Sequence, residues 1–212
     1  MQPAPIQVSY LGFPGTTGAP FVDYLIADPT LIPPDHAQYY TEKLVYMPNC
    51  YQINTPPPES SKKFTRADFG LPQNSFVFCC FNNTLKIDAA IFATWMTILK
   101  AVPHSVLWLW GSNELAIDNF KKAAVSAGIA AQRLIFATKL PLDEHITRSR
   151  LADLALDTAL YTGGATTSNA FAASLPVVTL AGTTYISRMG PAWLPAPACR
   201  VWSPPPIANT PT

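Results

Sequence analysis

Two short segments of this 212-residue chain carry residue types and spacings that could handle an anion. The first is Asn82, Asn83, Thr84, Leu85, Lys86, Ile87, Asp88, which follows an apolar run ending at Phe81. A lysine just ahead of a helix start adds its charge to the partial positive charge of the helix end, which suits a phosphate. The same spacing also suits a solvated surface lysine. The second segment is Tyr161-Thr162-Gly163-Gly164-Ala165-Thr166-Thr167-Ser168-Asn169. Its small residues let a backbone approach an anion, and exposed N–H groups with the Thr and Ser hydroxyls can bind one. It is neither a Walker loop nor a GxGxxG fingerprint, and such a loop also serves as a plain turn and helix cap. His145 falls in the first turn of an expected helix at the same edge, where it could touch a ligand, cap the helix or face water. His36 and His104 lie close to prolines in loop-like sequence and read as surface residues. No pair of histidines or carboxylates has the spacing of a metal site, and no nucleophile elbow of the G-x-S-x-G type is present. The residues alone point to an α/β module able to hold a phosphorylated ligand.

The elements that must position these groups alternate. Phe76–Phe81, Ser105–Trp110, Leu134–Phe136, Leu156–Tyr161 and Pro176–Leu180 read as short buried strands. Between them, helices are expected over Asp88–Lys100, Asn113–Ala127 (closed by Gly128), Pro141 to about Leu154, and Ser168–Ser174. Strands alternating with helices at this spacing mean βα units: a Rossmann-like, doubly wound parallel sheet covered on both faces, over residues 61–190. The first 60 residues differ. Val8–Leu11, the turn Phe13-Pro14-Gly15-Thr16-Thr17-Gly18 and Val22–Ala27 suggest strand, turn, strand, with too small a core to stand alone. They read as the trailing part of a first lobe with its linker, Pro56-Pro57-Pro58 included. Residues 191–212 form a proline-rich tail expected to be disordered or extended.

Composition limits the functional classes. Lys+Arg 14 against Asp+Glu 13 gives net charge +1, so no overall field gathers nucleic acid or acidic lipid. Hydrophobic residues at 49% exclude a disordered chain, while no apolar run reaches the roughly 20 residues of a membrane helix. No basic region followed by an apolar stretch marks the N-terminus as a signal peptide. The four cysteines, Cys50, Cys79, Cys80 and Cys199, are too few and too irregular for a disulfide framework or a zinc site. A reduced cytoplasmic protein is expected.

Several stretches occur in one order: Pro3-Ala-Pro-Ile-Gln-Val-Ser-Tyr-Leu-Gly-Phe-Pro-Gly-Thr-Thr-Gly, Lys43-Leu-Val-Tyr-Met-Pro, Phe81-Asn-Asn-Thr-Leu-Lys-Ile and Leu151-Ala-Asp-Leu-Ala-Leu-Asp-Thr. From about Pro3 to Met189 the chain resembles the catalytic region of the O-linked N-acetylglucosamine transferase family, in its bacterial and Spindly-like branch. The resemblance implies two Rossmann-like lobes of the GT-B type, with a nucleotide sugar in the cleft between them. It implies inverting transfer of N-acetylglucosamine from UDP-GlcNAc to Ser or Thr hydroxyls of proteins, without a metal cofactor. It covers only part of that catalytic region, so the chain is expected to be inactive alone; the rival expectation is a non-catalytic UDP-binding or protein-interaction module.

Carried over residue by residue, the resemblance assigns Lys86 to the donor's phosphates and the leaving group, and Asn83 to the vicinity of the diphosphate. It assigns His145 and Arg148 to the uridine end, and Thr16 and Thr17 to a first-lobe turn facing sugar and diphosphate. At the phosphate loop the family usually reads Asn-Gly-His-Thr-Thr with an acid three positions on. This chain has Thr162-Gly163-Gly164-Ala165-Thr166 and Asn169 there, so the family's histidine is Gly164, one threonine is Ala165, and the ribose-binding Asp is Asn169. Ala172 and Ser174 stand where a Trp and a Gly are common. Backbone N–H contacts survive such losses, so Gly163, Gly164, Ala165 and Thr166 remain expected phosphate contacts.

Overall fold

The computed structural model describes residues 3–55 and 60–194. Two parallel sheets make up the α/β architecture. The first is small, with β1 (Val8–Ser9), β2 (Tyr24–Ala27) and β3 (Lys43–Tyr46) side by side. The second holds β4 (Phe76–Cys80), β5 (Ser105–Trp110), β6 (Leu134–Ala137), β7 (Leu154–Leu156) and β8 (Val177–Val178). Its spatial order is β6-β5-β4-β7-β8, every pair parallel.

The period-2 alternation of side chains decides which face each strand residue covers. Val77, Cys79, Val106 and Trp108 point into one core, while Phe78, Cys80, Leu107 and Leu109 point into the other. Helix α1 (Ala89–Ala101) lays Phe92, Trp95, Met96 and Leu99 on the second face, joined there by Ala124 of α2 (Glu114–Ser126). Helices α3 (Leu142–Ser149) and α4 (Ala165–Ala172) cover the first face through Ile146 and Ala170. A sheet buried on both sides explains why its strands read as unbroken apolar runs.

The chain starts this sheet in its middle. From β4 it moves outward through β5 to β6, then returns to the other side of β4 for β7 and β8. The order therefore reverses between β4 and β7, and a crevice opens at their carboxyl ends.

Helix ends are fixed by local chemistry. Asp88 accepts from the N–H groups of Ala90 and Ile91 at the start of α1, and Asn113 accepts from Ala116 N at the start of α2. Helix α3 stops at Ser149, sooner than its sequence suggests. The chain must turn there so that Asp153 can accept from Val77 N (2.7 Å) and lead into β7. For the same reason β7 lies at Leu154–Leu156, ahead of the expected Leu156–Tyr161. Helix α4 begins earlier than expected, at Ala165 directly after Gly164.

Two further differences concern the flanks. The first sheet shares a core with the far end of the chain: Leu25, Ala27, Leu31, Ile32 and Tyr51 pack with Tyr185 and Ala192. Arg188 Nε donates to Thr30 O, a second link between the same regions. Pro191–Trp193, expected to belong to a disordered or extended tail, forms a packed turn with Ala192 buried. The expected linker prolines Pro56-Pro57-Pro58 and the tail from 195 onward lie outside the described residues.

Ser174 has φ 58°, the left-handed region that favours glycine. The resemblance places a glycine at this position, and the strained backbone gives that preference a physical cause. Ser174→Gly is expected to raise stability by about 0.5–1 kcal/mol, because relief of the strained conformation outweighs the added freedom of the unfolded chain. The midpoint of urea unfolding, at unchanged slope, checks this.

Candidate functional site

The reversal of strand order brings the two anion-handling segments together. The segment after β4 supplies Asn82 and Lys86; the segment after β7 supplies Asp157 and the turn 162–166. Lys86 Nζ donates to Thr162 O at 3.1 Å and sits 3.8 Å from the centre of the Tyr161 ring. Thr166 Oγ1 donates to Asn82 Oδ1 at 2.5 Å. An amine from one segment and a turn from the other thus meet at one crevice. Burial pushes the Lys86 amine below its ordinary value, while the nearby Asp157 carboxylate acts the other way.

Nothing from the chain caps α4 by a side chain, because its N-cap is Gly164. The first-turn amides of an α-helix have no intrahelical acceptor, so those at the start of α4 are left for an outside acceptor. Gly163 is needed sterically: a Cβ there would run into the hydroxyls of Thr166 and Thr167. The turn is thus tight and glycine-bound on its inner side, and its side chains contribute little beyond the Thr166 hydroxyl.

His145 and Arg148 lie further along the same edge, on α3. The His145 ring packs edge-on against Phe81 (5.0 Å) and borders a hollow with Asn82, Asp157 and Thr166. It also borders a second cleft with Trp110, Lys139, Leu140 and Leu142. Arg148 is buried among Phe69, Phe81 and Trp108, and its Nε donates to His145 Nδ1 at 3.1 Å. Its guanidinium also donates to Thr138 O, so Arg148 chiefly fixes the His145 ring. Burial, then the Arg148 charge, drive the imidazole down to about 4. With Nδ1 accepting, the proton of the neutral ring sits on Nε2. An NMR pH titration is expected to show His145 neutral at pH 6, with its transition near 4. Because this folded value lies below the ordinary 6.5, the neutral ring's contribution to stability is present above 6.5 and fades as pH falls towards 4.

The remaining expected site residues are placed elsewhere. Asn83 is exposed and caps the short turn Thr84–Lys86, its side chain accepting from Leu85 N at 3.0 Å. Its neighbour Asn82 takes the buried position. Asn169 borders a cleft of ≈ 580 Å³ with Asn54, Leu142, Ala165, Ser168 and Ala172. Thr16 borders a separate hollow with Tyr40 and Tyr185, and the hydroxyls of Thr16 and Thr17 are bound to Glu42. The structure therefore gathers Lys86, Gly163, Gly164, Ala165, Thr166 and His145 along one edge and leaves the Thr16-Thr17 turn to another hollow.

Three residues at the centre have no individual role in the reading of the sequence: Asn82 and Tyr161, which only open the two segments, and Asp157. Asn82 is a polar residue directly after an apolar strand, and Asp157 stands in the Leu-Asp-Thr stretch. Both signals were visible, but neither spacing indicates that these side chains meet.

Comparison with known proteins fits this geometry. The chain matches the model of glycosyl transferase family 41 over residues 1–57 and 55–200. It is 44% identical over 186 residues to the probable UDP-N-acetylglucosamine–peptide N-acetylglucosaminyltransferase SEC of Arabidopsis thaliana, covering 85% of this chain and 19% of that protein. It is 34% identical over 195 residues to the probable transferase SPINDLY of Solanum lycopersicum, covering 89% of this chain and 20% of the relative. A mutant of the Thermobaculum terrenum O-GlcNAc transferase superposes with a TM-score of 0.81 at 31% identity, over 91% of this chain and 37% of that structure. The chain thus spans about a fifth of the length of these curated relatives. A five-stranded parallel sheet, with an amine and a bare helix start converging where its strand order reverses, belongs here to a member of glycosyl transferase family 41.

Proposed function

We propose that the chain is part of the catalytic region of a protein O-GlcNAc transferase and that its crevice binds the UDP end of UDP-GlcNAc. The observation that carries this reading is the Lys86 amine, 3.1 Å from the carbonyl of the turn that leads into uncapped α4. A diphosphate placed there meets the Lys86 cation from one side and backbone N–H groups from the other. His145, neutral with its proton on Nε2, borders the adjoining cleft and supplies a flat donor for a uracil base. Asn169, in the neighbouring cleft, serves the ribose as a neutral hydrogen-bonding group.

In the reaction so assigned, a Ser or Thr hydroxyl oxygen of an acceptor protein bonds to the anomeric carbon. The bond from that carbon to the UDP oxygen breaks with inversion, and the hydroxyl proton passes to water. Lys86 stabilises the negative charge that grows on the leaving diphosphate. No metal cofactor enters this reading. With net charge +1 the expected partners are the UDP-sugar and acceptor proteins, not nucleic acid. Among the described residues no helix is long and apolar enough to cross a membrane, and the three described cysteines are free. Unpaired thiols support a reducing, cytoplasmic setting.

A second reading, UDP binding without transfer, is favoured by one feature: both Thr16 and Thr17 hydroxyls donate to Glu42 and have spent their protons on it. Titration calorimetry with UDP and a transfer assay with UDP-GlcNAc and Ser/Thr peptides decide between the two. The expected result for this chain is UDP binding without turnover. Turnover would show that these residues suffice, and absence of UDP binding would remove the site.

A further inference from the structure

We propose that Asp157 is the positioning residue of this site: one buried carboxylate, fastened from four directions, holds the 162–166 turn, Asn82 and Lys86 in a single arrangement. This rests on the nucleotide-sugar reading above and adds the group that assembles the site.

The argument starts from its partners. Asp157 Oδ1 accepts from Thr158 N, Gly163 N and Asn82 Nδ2, each at 2.8 Å, and Oδ2 accepts from Thr179 Oγ1 at 2.7 Å. Three of these donors are N–H groups that cannot accept, so the seat at Oδ1 demands an acceptor. The chain makes room for it. A Cβ at Gly190 would collide with Oδ2, and one at Gly163 would stand 3.2 Å from Oδ1. Because Asn82 gives its amide N–H to Asp157, its oxygen is left facing Thr166, from which it accepts. The orientation of Asn82, and with it the tie to the first turn of α4, therefore follows from the carboxylate.

Lys86 is tied to the same turn, because its amine donates to Thr162 O, next to the Gly163 N–H that Asp157 binds. Its amine is half-buried, between the Thr162 carbonyl and the Tyr161 ring, and Asp157 is the carboxylate whose field reaches it. Burial disfavours the ammonium, and Asp157 opposes that effect without cancelling it. An acid buried so close to an anion site costs some attraction for phosphate. In return its field favours the protonated amine.

Asp157→Asn tests this. The amide oxygen can take over the three donors at Oδ1, and its NH2 can face the Thr179 hydroxyl, which is able to accept. Shape and hydrogen bonds stay; the charge goes. The Lys86 side-chain titration, followed by NMR in 15N-lysine protein, is expected to move to lower pH. The alkaline loss of UDP binding is expected to move with it. An unshifted Lys86 titration would overturn the proposal whether or not UDP binds. Wild-type protein that fails to bind UDP would overturn only the reading of the site, since the Lys86 titration still decides the role of Asp157.

A measurement on the unaltered chain covers a variant that does not fold. The Gly163 amide proton, bonded to Asp157, should shift with the carboxyl's titration in acid, and the Thr166 and Lys86 signals should share its midpoint. Signals that titrate separately would mean Asp157 only packs the loop and would sink the proposal.

Discussion

Lys86→Ala is expected to weaken UDP binding by roughly 1.5–3 kcal/mol, a loss of about ten- to a hundred-fold measurable by calorimetry at fixed salt. The figure is that of a charge-assisted hydrogen bond to phosphate, and the half-buried setting of the amine argues for the upper part of the range. The variant should fold normally. Removing the side chain leaves Thr162 O without one donor, and the hydrogen bonds to both Asp157 oxygens are untouched. Lys86→Arg is expected to recover only part of the affinity. A guanidinium stacks on an aromatic face but spreads its charge over a longer, rigid fork, so it does not reproduce the contact of a compact ammonium with the Thr162 carbonyl. Equal affinity in the alanine variant would take Lys86 out of the site.

The five-stranded sheet was legible in the sequence because each strand is a short run buried on both faces and each helix carries its own stop and start residues. Phe76–Cys80 and Ser105–Trp110 illustrate the first, Asp88 and Asn113 the second. The elements misplaced by a few residues, α3, β7 and α4, are those whose limits depend on distant partners. Asp153 ties the start of β7 to Val77 N and to Arg66, whose Nη2 lies 2.8 Å from Asp153 Oδ2, and no local pattern foretells either bond. Strand β3 was not marked as a strand from the sequence. Its residues Lys43–Tyr46 are mostly exposed, so the apolar run that marks a buried strand is missing.

The site divides along the same line. Residues that act through backbone or charge, such as Lys86 and the 162–166 turn, announce themselves by type and by position between strand and helix. Residues that act by holding others do not. Asn82 and Asp157 are 75 positions apart and meet only because the order of strands reverses between β4 and β7. Likewise, Thr16 and Thr17 look like ligand-facing hydroxyls until Glu42, on the approach to β3, is seen to take both.

That last arrangement makes Glu42→Gln the largest expected effect on stability. Glu42 is 4% exposed and accepts from Thr16 Oγ1, Thr17 N and Thr17 Oγ1, each at 2.6 Å. Burial alone would raise its pKa, but the hydrogen bonds from Thr16, Thr17 and its own backbone together outweigh it and bring the carboxyl down to about 2 from 4.5. At about 1.4 kcal/mol per tenfold change in proton affinity, the carboxylate stabilises the folded chain by on the order of 3 kcal/mol at neutral pH. The folded value lies below the unfolded one. The contribution is therefore complete above 4.5 and drains away as pH falls towards 2. A glutamine keeps one acceptor for Thr17 and places an NH2 against the hydroxyls of Thr16 and Thr41, which can accept it. The fold should survive, less stable by about 2–3 kcal/mol at pH 7. Urea unfolding of both proteins from pH 7 to pH 3 provides the check, because the difference between the two curves isolates Glu42 from the other titrating groups, His145 included. That difference should shrink steadily below pH 4.5. A gap that stays constant with pH would mean the carboxylate's charge contributes nothing to the turn.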